Sequence, residues 1–260
     1  MSIKFNIIFR ACDIVEAVNK SPRPFGLNKR EIIKICFKSV VEAVKPLPHT
    51  IIVLGDKLSD EIASYFSSFN VKIINGDFGN DASIRASIEQ SLQFPDDEWV
   101  YFCEDDYLHH PDSFYRFTQL IENKSQLTIR KKKLLSKKYI SFEPDLVIHP
   151  PDYPDRYLTN QRKPSYIFLT DDYHWRQISN TTFTFLTRVS TVKKHYKTLI
   201  KSSYGANDAY LSEHLYGNRS FKDKCLCLSP IHGLANHMHV DTFTPCVNWE
   251  DIFLKYRHLI

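Results

Sequence analysis

Hydrophobic positions in the N-terminal half switch repeatedly between the period of a strand and that of a helix. Residues 5–10, Phe-Asn-Ile-Ile-Phe-Arg, read as a first strand. A loop holding Ser21-Pro22-Arg23-Pro24 and Gly26 follows. Ile32, Ile33, Cys36, Phe37, Val40, Val41 and Val44 then recur at spacings of three and four, which predicts a helix over 29–44 capped by Asn28. Further strands are expected over 50–54 and 71–74, closing on Gly55-Asp56 and Gly76-Asp77, with helices over 59–66 and 81–92. A strand beginning at Trp99 completes the series. This alternation predicts an α/β fold: a mostly parallel twisted sheet flanked by helices.

The second half is less regular. Helices are expected over 113–121 and 189–200, and another opening at Asn207 and running through Asp208, Leu211 and Leu215. Thr181-Thr182-Phe183-Thr184-Phe185-Leu186 reads as a strand. Arg130-Lys131-Lys132-Lys133 and the lysines after it form a basic run, either a solvated helix face or loop or a contact for phosphate-bearing molecules. No internal repeat breaks the 260 residues, so 1–122 and 123–260 read as two halves of one domain.

Composition narrows the class. An apolar fraction of 43% with 14 Tyr and 18 Phe argues for an ordinary folded core. A net charge of +4 from 34 basic and 30 acidic residues permits an anionic partner without demanding one. No stretch has the apolar length of a membrane span, and the first residues lack the core and cleavage site of a signal peptide. Cysteines at 12, 36, 103, 225, 227 and 246 follow no zinc-binding spacing, so buried thiols in a cytoplasmic protein are the expectation.

The chemistry concentrates where Trp-Val-Tyr-Phe-Cys runs into Glu104-Asp105-Asp106. Three consecutive carboxylates at the end of a buried strand are costly unless neutralised. Either they cap neighbouring helices, or they face a cleft where a divalent cation and a phosphate ester offset their charge. Ligands of such sheets lie beyond the strands' carboxyl ends, where Arg10, Asp13, Asp56 and Asp77 also fall. No G-x-G-x-x-G or G-x-x-x-x-G-K-[ST] pattern occurs, which disfavours a standard dinucleotide or P-loop site.

Taken in order, the alternating N-terminal half, the acidic triplet and the later Asn207-Asp208 resemble glycosyltransferases of the GT-A fold, in particular the family 2-like group. The resemblance covers residues 4–122 and is traceable to about 250. It implies a nucleotide-sugar-binding half, 1–122, and an irregular acceptor-binding and catalytic half, 123–260. Glu104 and Asp106 match the outer positions of the family's D-x-D motif, as E-x-D, which binds a divalent ion bridging a nucleotide sugar's two phosphates. Asp106 is then a metal ligand, with Glu104 and Asp105 aiding at the nucleotide. His237 or His239, in His232-Gly-Leu-Ala-Asn-His237-Met-His239, supplies a further ligand. Imidazole in that set suits Mn²⁺ better than Mg²⁺. Asp208 matches the family's catalytic base, although Asn207 stands where an acid is usual; a helix cap is its other reading. Asp56 resembles the residue that recognises the base, Asp13 is placed for ribose or base edge, and Arg10 for the nucleotide. Arg85 either faces the phosphates or pairs with Asp81 or Glu89.

The implied reaction is transfer of a sugar from a nucleotide-diphosphate donor to an acceptor hydroxyl with inversion. The acceptor is a glycan or a modified nucleobase in DNA. Asp171-Asp172-Tyr173-His174-Trp175-Arg176 offers an aromatic plate with charge for it, Trp175 being otherwise core, and residues 149–154 form a rigid bordering loop. His109 and His110 read as structural. A metal-dependent hydrolase or nuclease would use the same residue types with two ions held close together. A non-enzymatic nucleic-acid-binding module is the other alternative, carried by the basic run and the aromatics.

Overall fold

A computed structural model describes residues 3–14, 22–127, 129–132, 139–142, 144–157, 165–170, 172–216 and 225–258. The N-terminal half runs β1 (Phe5–Ala11), α1 (Lys29–Val44), β2 (His49–Asp56), α2 (Asp60–Ser67), β3 (Lys72–Gly76), α3 (Asn80–Ser91), β4 (Trp99–Glu104), β5 (Tyr107–His109) and α4 (Ser113–Glu122). The expected alternation is therefore present, with ends shifted by a residue or two. Asn28 caps α1 in a reciprocal box: its side chain accepts from the Glu31 amide while the Glu31 carboxylate accepts from the Asn28 amide. Ser59 caps α2 in the same way on one side only.

Beyond α4 come β6 (Ile129–Lys132), β7 (Tyr139–Phe142), β8 (Leu146–Ile148), β9 (Ile167–Thr170), β10 (Tyr173–Ile178), β11 (Phe185–Arg188), α5 (Val189–Ser202), α6 (Asp208–Leu211), β12 (Leu226–Ile231), β13 (Ala235–His237) and α7 (Trp249–Arg257). Among the described residues, nine strands form one sheet in the order β3-β2-β1-β4-β11-β8-β12-β10-β9. Only β10 and β11 run against the rest, so the sheet is mixed but mostly one-directional. The layout is α/β: parallel strands β3, β2, β1 and β4, then an antiparallel neighbour at the strand that carries the acidic triplet.

Both faces of the sheet are covered, and alternate residues of each central strand serve opposite layers. Phe5, Ile7 and Phe9 of β1 and Trp99, Tyr101 and Cys103 of β4 pack toward Ile33, Phe37 and Val40 of α1 and Phe114 and Phe117 of α4. Ile8, Val100 and Phe102 face the other way, toward Ile84 and Ile88 of α3 and Val189 and Val192 of α5. Burial on both faces explains why these strands read as continuous apolar runs. A third cluster joins Ile32, Ile35 and Cys36 of α1 to Trp249, Phe253 and Tyr256 of α7, and so fixes the chain's last helix beside the first.

The second half departs from the expectations in four places. The strand expected over 181–186 begins only at Phe185: β4 continues two residues past the Phe185–Phe102 pair, but the Glu104 amide donates to the Thr184 hydroxyl instead of to a ladder carbonyl. The Thr182 hydroxyl shares a hydrogen bond with the Tyr107 hydroxyl, and the Thr184 hydroxyl donates to the Glu104 carboxylate. Trp175 is fully buried and donates to the Thr170 hydroxyl, so it is core and no acceptor plate. Asp172 pairs with Arg116, 2.5 Å away, while Asp171 lies outside the described residues. The basic run enters a strand pair, β6 with β7, rather than a helix; Lys133 and residues 134–138 lie outside the described residues.

Candidate active site

The centre of the site is built by a short two-stranded ladder. β5 and β13 pair antiparallel with His237 opposite Tyr107, and the Met238 amide donates to the Asp106 carbonyl at 2.8 Å. Residues two apart in extended chain project to one side, so His237 and His239 both meet the carboxylate of Asp106. Asp106 Oδ2 lies 3.4 Å from His237 Nε2 and 3.3 Å from His239 Nε2. The His237 ring stacks on Tyr107 at 4.8 Å, and its Nδ1 lies 3.2 Å from the Thr242 hydroxyl, which fixes the ring plane.

Burial disfavours charge on both partners, yet each favours the charged form of the other. Burial alone would raise the Asp106 carboxyl, but His237 and then His239 bring it well below the usual range. Burial would lower His237, and the Asp106 carboxylate outweighs it to raise the imidazole. One oxygen and two imidazole nitrogens lie within 4.8 Å of one another. This donor set fits a divalent first-row cation such as Mn²⁺. The buried His239 Nδ1, with no hydrogen-bond partner, marks the ring as incompletely satisfied.

A residue that sequence reasoning missed borders this triad. Arg23, between two prolines in the loop leading to α1, places Nη1 3.3 Å from Asp106 Oδ2, 3.2 Å from His239 Nε2 and 3.4 Å from the Met238 carbonyl. Its buried Nη2 has no hydrogen-bond partner. The signal was positional only: the loop follows β1, so it lies at the strands' carboxyl end where ligands of such sheets bind.

The other two carboxylates of the triplet diverge. Glu104 accepts from Arg10 Nη2 at 2.7 Å and from the Thr184 hydroxyl at 3.0 Å, and Arg10 also donates to Asn80 and Ser83 of α3. Asp105 turns beneath the cleft, accepting from Lys29 Nζ at 2.5 Å and from the Cys12 amide at 2.9 Å. Burial would discharge Lys29, but Asp105 and Asp106 raise its pKa and keep it an ammonium.

Asp208 opens α6, and Asn207 performs the capping by accepting from the Tyr210 amide at 2.8 Å. The Asp208 carboxylate has no hydrogen-bond or ion-pair partner among the described residues. Its surface is open to water, yet enough protein surrounds it that desolvation, with repulsion from Glu104, raises the carboxyl to about 7 against the pull of Arg10. Asp81 holds the preceding loop by accepting from the Gly205 amide at 2.7 Å, where the backbone is left-handed at φ 68.

Three expected nucleotide contacts serve the scaffold in this structure. Asp13 accepts from the Ser59 amide at 2.9 Å, from its hydroxyl at 2.5 Å and from Arg30 Nε at 3.0 Å, tying β1 to α1 and α2. Asp56 accepts from the amides of Phe78 and Gly79 ahead of α3, at 2.7 and 3.1 Å. Arg85 pairs with neither Asp81 nor Glu89; it reaches the Ser203 hydroxyl and lies over the Tyr204 ring at 4.8 Å. His109 is buried between the Tyr101 hydroxyl and the Tyr107 carbonyl, and burial pushes its pKa down to about 3, so it is a neutral structural residue.

No protein-family profile matches the chain, and no curated protein sequence does. Among solved structures it is similar to a nucleotidyl transferase from Methanothermobacter thermautotroptrophicus, at 11% identity and a TM-score of 0.48 over 98% of each chain. It is also similar to the galactosyltransferase LgtC in complex with donor and acceptor sugar analogs, at 12% identity and 0.46, covering 98% of this chain and 96% of that one. A third likeness is to CMP:2-keto-3-deoxy-manno-octonic acid synthetase complexed with CTP, at 12% identity and 0.44 over 98% of each. Likenesses this distant assign no role to any residue. Among the described residues, no helix is long and apolar enough to cross a membrane.

Proposed function

We propose that this chain is a metal-dependent glycosyltransferase that moves a sugar from a nucleotide-diphosphate donor to a hydroxyl-bearing acceptor. The observation that carries the proposal is a cation-type donor triad beside the acidic strand end, with a carboxylate, Asp208, that has no partner among the described residues and feels the charges of Glu104 and Arg10. A hydroxyl that attacks must lose its proton, and a base with a pKa near neutrality suits that task.

Asp106, His237 and His239 would hold the cation, Mn²⁺ in preference to Mg²⁺, which when bound supplies Lewis-acid stabilisation to the leaving diphosphate. Arg23 adds a fixed positive charge with a free N–H edge beside that place, suited to a phosphate oxygen. Arg10 and Glu104 present a paired cation and acceptor that fit the donor's sugar or ribose hydroxyls. Asp208 accepts the acceptor's proton as its oxygen attacks, giving inversion by single displacement. Residues 1–122 then contribute most of the donor side and 123–260 the acceptor side.

A two-ion hydrolase finds less support, since among the described residues a single cation-type cluster occupies this end of the sheet. A DNA acceptor finds none: the side chains of the basic run lie outside the described ones. The test is a melting-shift screen of nucleotide diphosphates and nucleotide sugars with and without Mn²⁺, followed by turnover assays on the binders. A Mn²⁺-dependent shift with a nucleotide diphosphate, lost in Asp106→Asn, is expected. No nucleotide shift under any metal condition overturns the reading.

A further inference from the structure

We propose that Asp145, His195 and Cys225 form a second divalent-cation site, with zinc-type donors and a structural role, at the end of the sheet away from the cleft. The inference is independent of the function assigned to the cleft.

Topology brings the three together. Asp145 and Cys225 immediately precede β8 and β12, which are parallel neighbours with Leu226 opposite Leu146, and the Leu226 amide donates to the Asp145 carbonyl at 2.8 Å. Leu186 of β11 pairs with both Tyr101 of β4 and Ile148 of β8, so β8 runs parallel to β4 and starts level with Trp99. The cluster is therefore at the opposite end of the strands from Glu104. His195 comes from α5, which packs on this part of the sheet.

The donor atoms are a carboxylate oxygen, an imidazole nitrogen and a thiol sulfur, all within 4.8 Å of one another. Around a tetrahedral zinc with bonds of about 2.0–2.3 Å, ligand atoms lie roughly 3.3–3.8 Å apart, so closure needs movements of about 1 Å or less. His195 Nε2 is already 3.7 Å from Asp145 Oδ2. That is a loose ion-pair contact, the largest influence drawing the Asp145 carboxyl down, but it is too long for a well-formed hydrogen bond, and this buried nitrogen makes none. Without an ion the nitrogen keeps only this loose contact; a cation between the three would bond it directly.

The Lys194 ammonium, 2.7 Å from Asp145 Oδ2, balances the carboxylate in the ion-free state, and its side chain is 47% exposed. Water can receive it when a divalent ion arrives. Burial first, then Asp145, pushes the Cys225 thiol pKa up. Loading must therefore strip the thiol proton: the S–H bond breaks, the sulfur–metal bond forms, and the proton leaves to solvent. The filled site clips α5 to the starts of two strands.

Cobalt(II) is the probe, because thiolate-to-cobalt charge transfer reports a sulfur ligand, and this is the one such cluster containing a thiol among the described residues. The metal-free full chain titrated with Co²⁺ is expected to develop that near-ultraviolet band and to saturate it within two equivalents, since the cleft's triad also takes cobalt. Cys225→Ser should abolish it, His195→Asn should weaken cobalt binding at least tenfold, and Asp106→Asn should leave the band intact. If Cys225→Ser does not fold, the wild-type band and its weakening in His195→Asn decide the matter. A folded wild-type protein with no thiolate band at saturating Co²⁺, or a band that His195→Asn leaves unchanged, overturns the proposal.

Discussion

Arg23 Nη1 lies 3.3 Å from the same Asp106 oxygen that His237 and His239 face. A guanidinium from the loop after β1 thus shares a carboxylate with two imidazoles from the far end of the chain. It supplies positive charge where a divalent ion would, and it supplies it permanently.

Replacing Arg23 by Gln should therefore make the fold depend more on metal. Asp106 would lose one of its compensating cations, at a cost of about 1–3 kcal/mol without metal. Mn²⁺, no longer repelled by the guanidinium, should recover most of that loss. Chemical denaturation with and without Mn²⁺ measures both quantities; equal stability of wild type and variant in chelator would remove Arg23 from this role.

Asp106→Asn keeps the shape of the side chain and removes the charge that the imidazoles share. We expect Mn²⁺ affinity by calorimetry to fall more than about 100-fold, beyond the range seen when only a ligand's supporting partner is removed. Metal-dependent nucleotide binding should fall with it.

Asp208 predicts a pH signature. A carboxyl raised to about 7 acts as a base only when ionised, so the transfer rate should climb with pH and level off above that value. Asp208→Asn should abolish the limb together with transfer, while nucleotide binding persists. The stability effect has the opposite sign. The folded chain holds this proton more tightly than the unfolded chain, so Asp208 weakens the fold progressively from about pH 4 up to about 7. The Asn variant should thus melt slightly higher than wild type at neutral pH, the increment being small because the side chain is open to water. A variant that transfers sugar at the wild-type rate would reject the base.

Asp13 is expected to behave as a strut. Asp13→Asn weakens the bonds to Ser59 and Arg30 and should cost about 1–3 kcal/mol. Its carboxyl lies below the usual value: burial alone would raise it, and the two Ser59 hydrogen bonds outweigh burial. The stabilisation is therefore present above the unfolded carboxyl's pKa and lost as pH falls through the folded one. The nucleotide-induced melting increment should be unchanged in the variant. Loss of that increment at normal stability would return Asp13 to the ribose.

How far the residues foretold this arrangement depended on the range of the interactions. The capping box of α1 needs only Asn28 and Glu31, and the apolar period of 29–44 needs only one helix face, so both are readable locally. Asp13 and Asp56 show the limit: an acidic residue at a strand end looks the same whether it meets a ligand or a neighbouring loop's amides. The strand expected over 181–186 is shorter for a related reason, since alternation cannot reveal that the Thr184 hydroxyl takes up Glu104's amide and carboxylate in place of a ladder bond. Arg23 left no pattern, because its partners lie 83 and 216 positions away.

The β5–β13 ladder carries a consequence for biosynthesis. Asp106 and His239 are 133 positions apart, and only the pairing of two three-residue strands brings them face to face. A nascent chain therefore cannot sequester an ion at this place until its last quarter has left the ribosome. Slipping that short pairing by a single residue would turn both imidazoles away from the carboxylate. The two imidazoles and the carboxylate therefore face one another only while that register is kept.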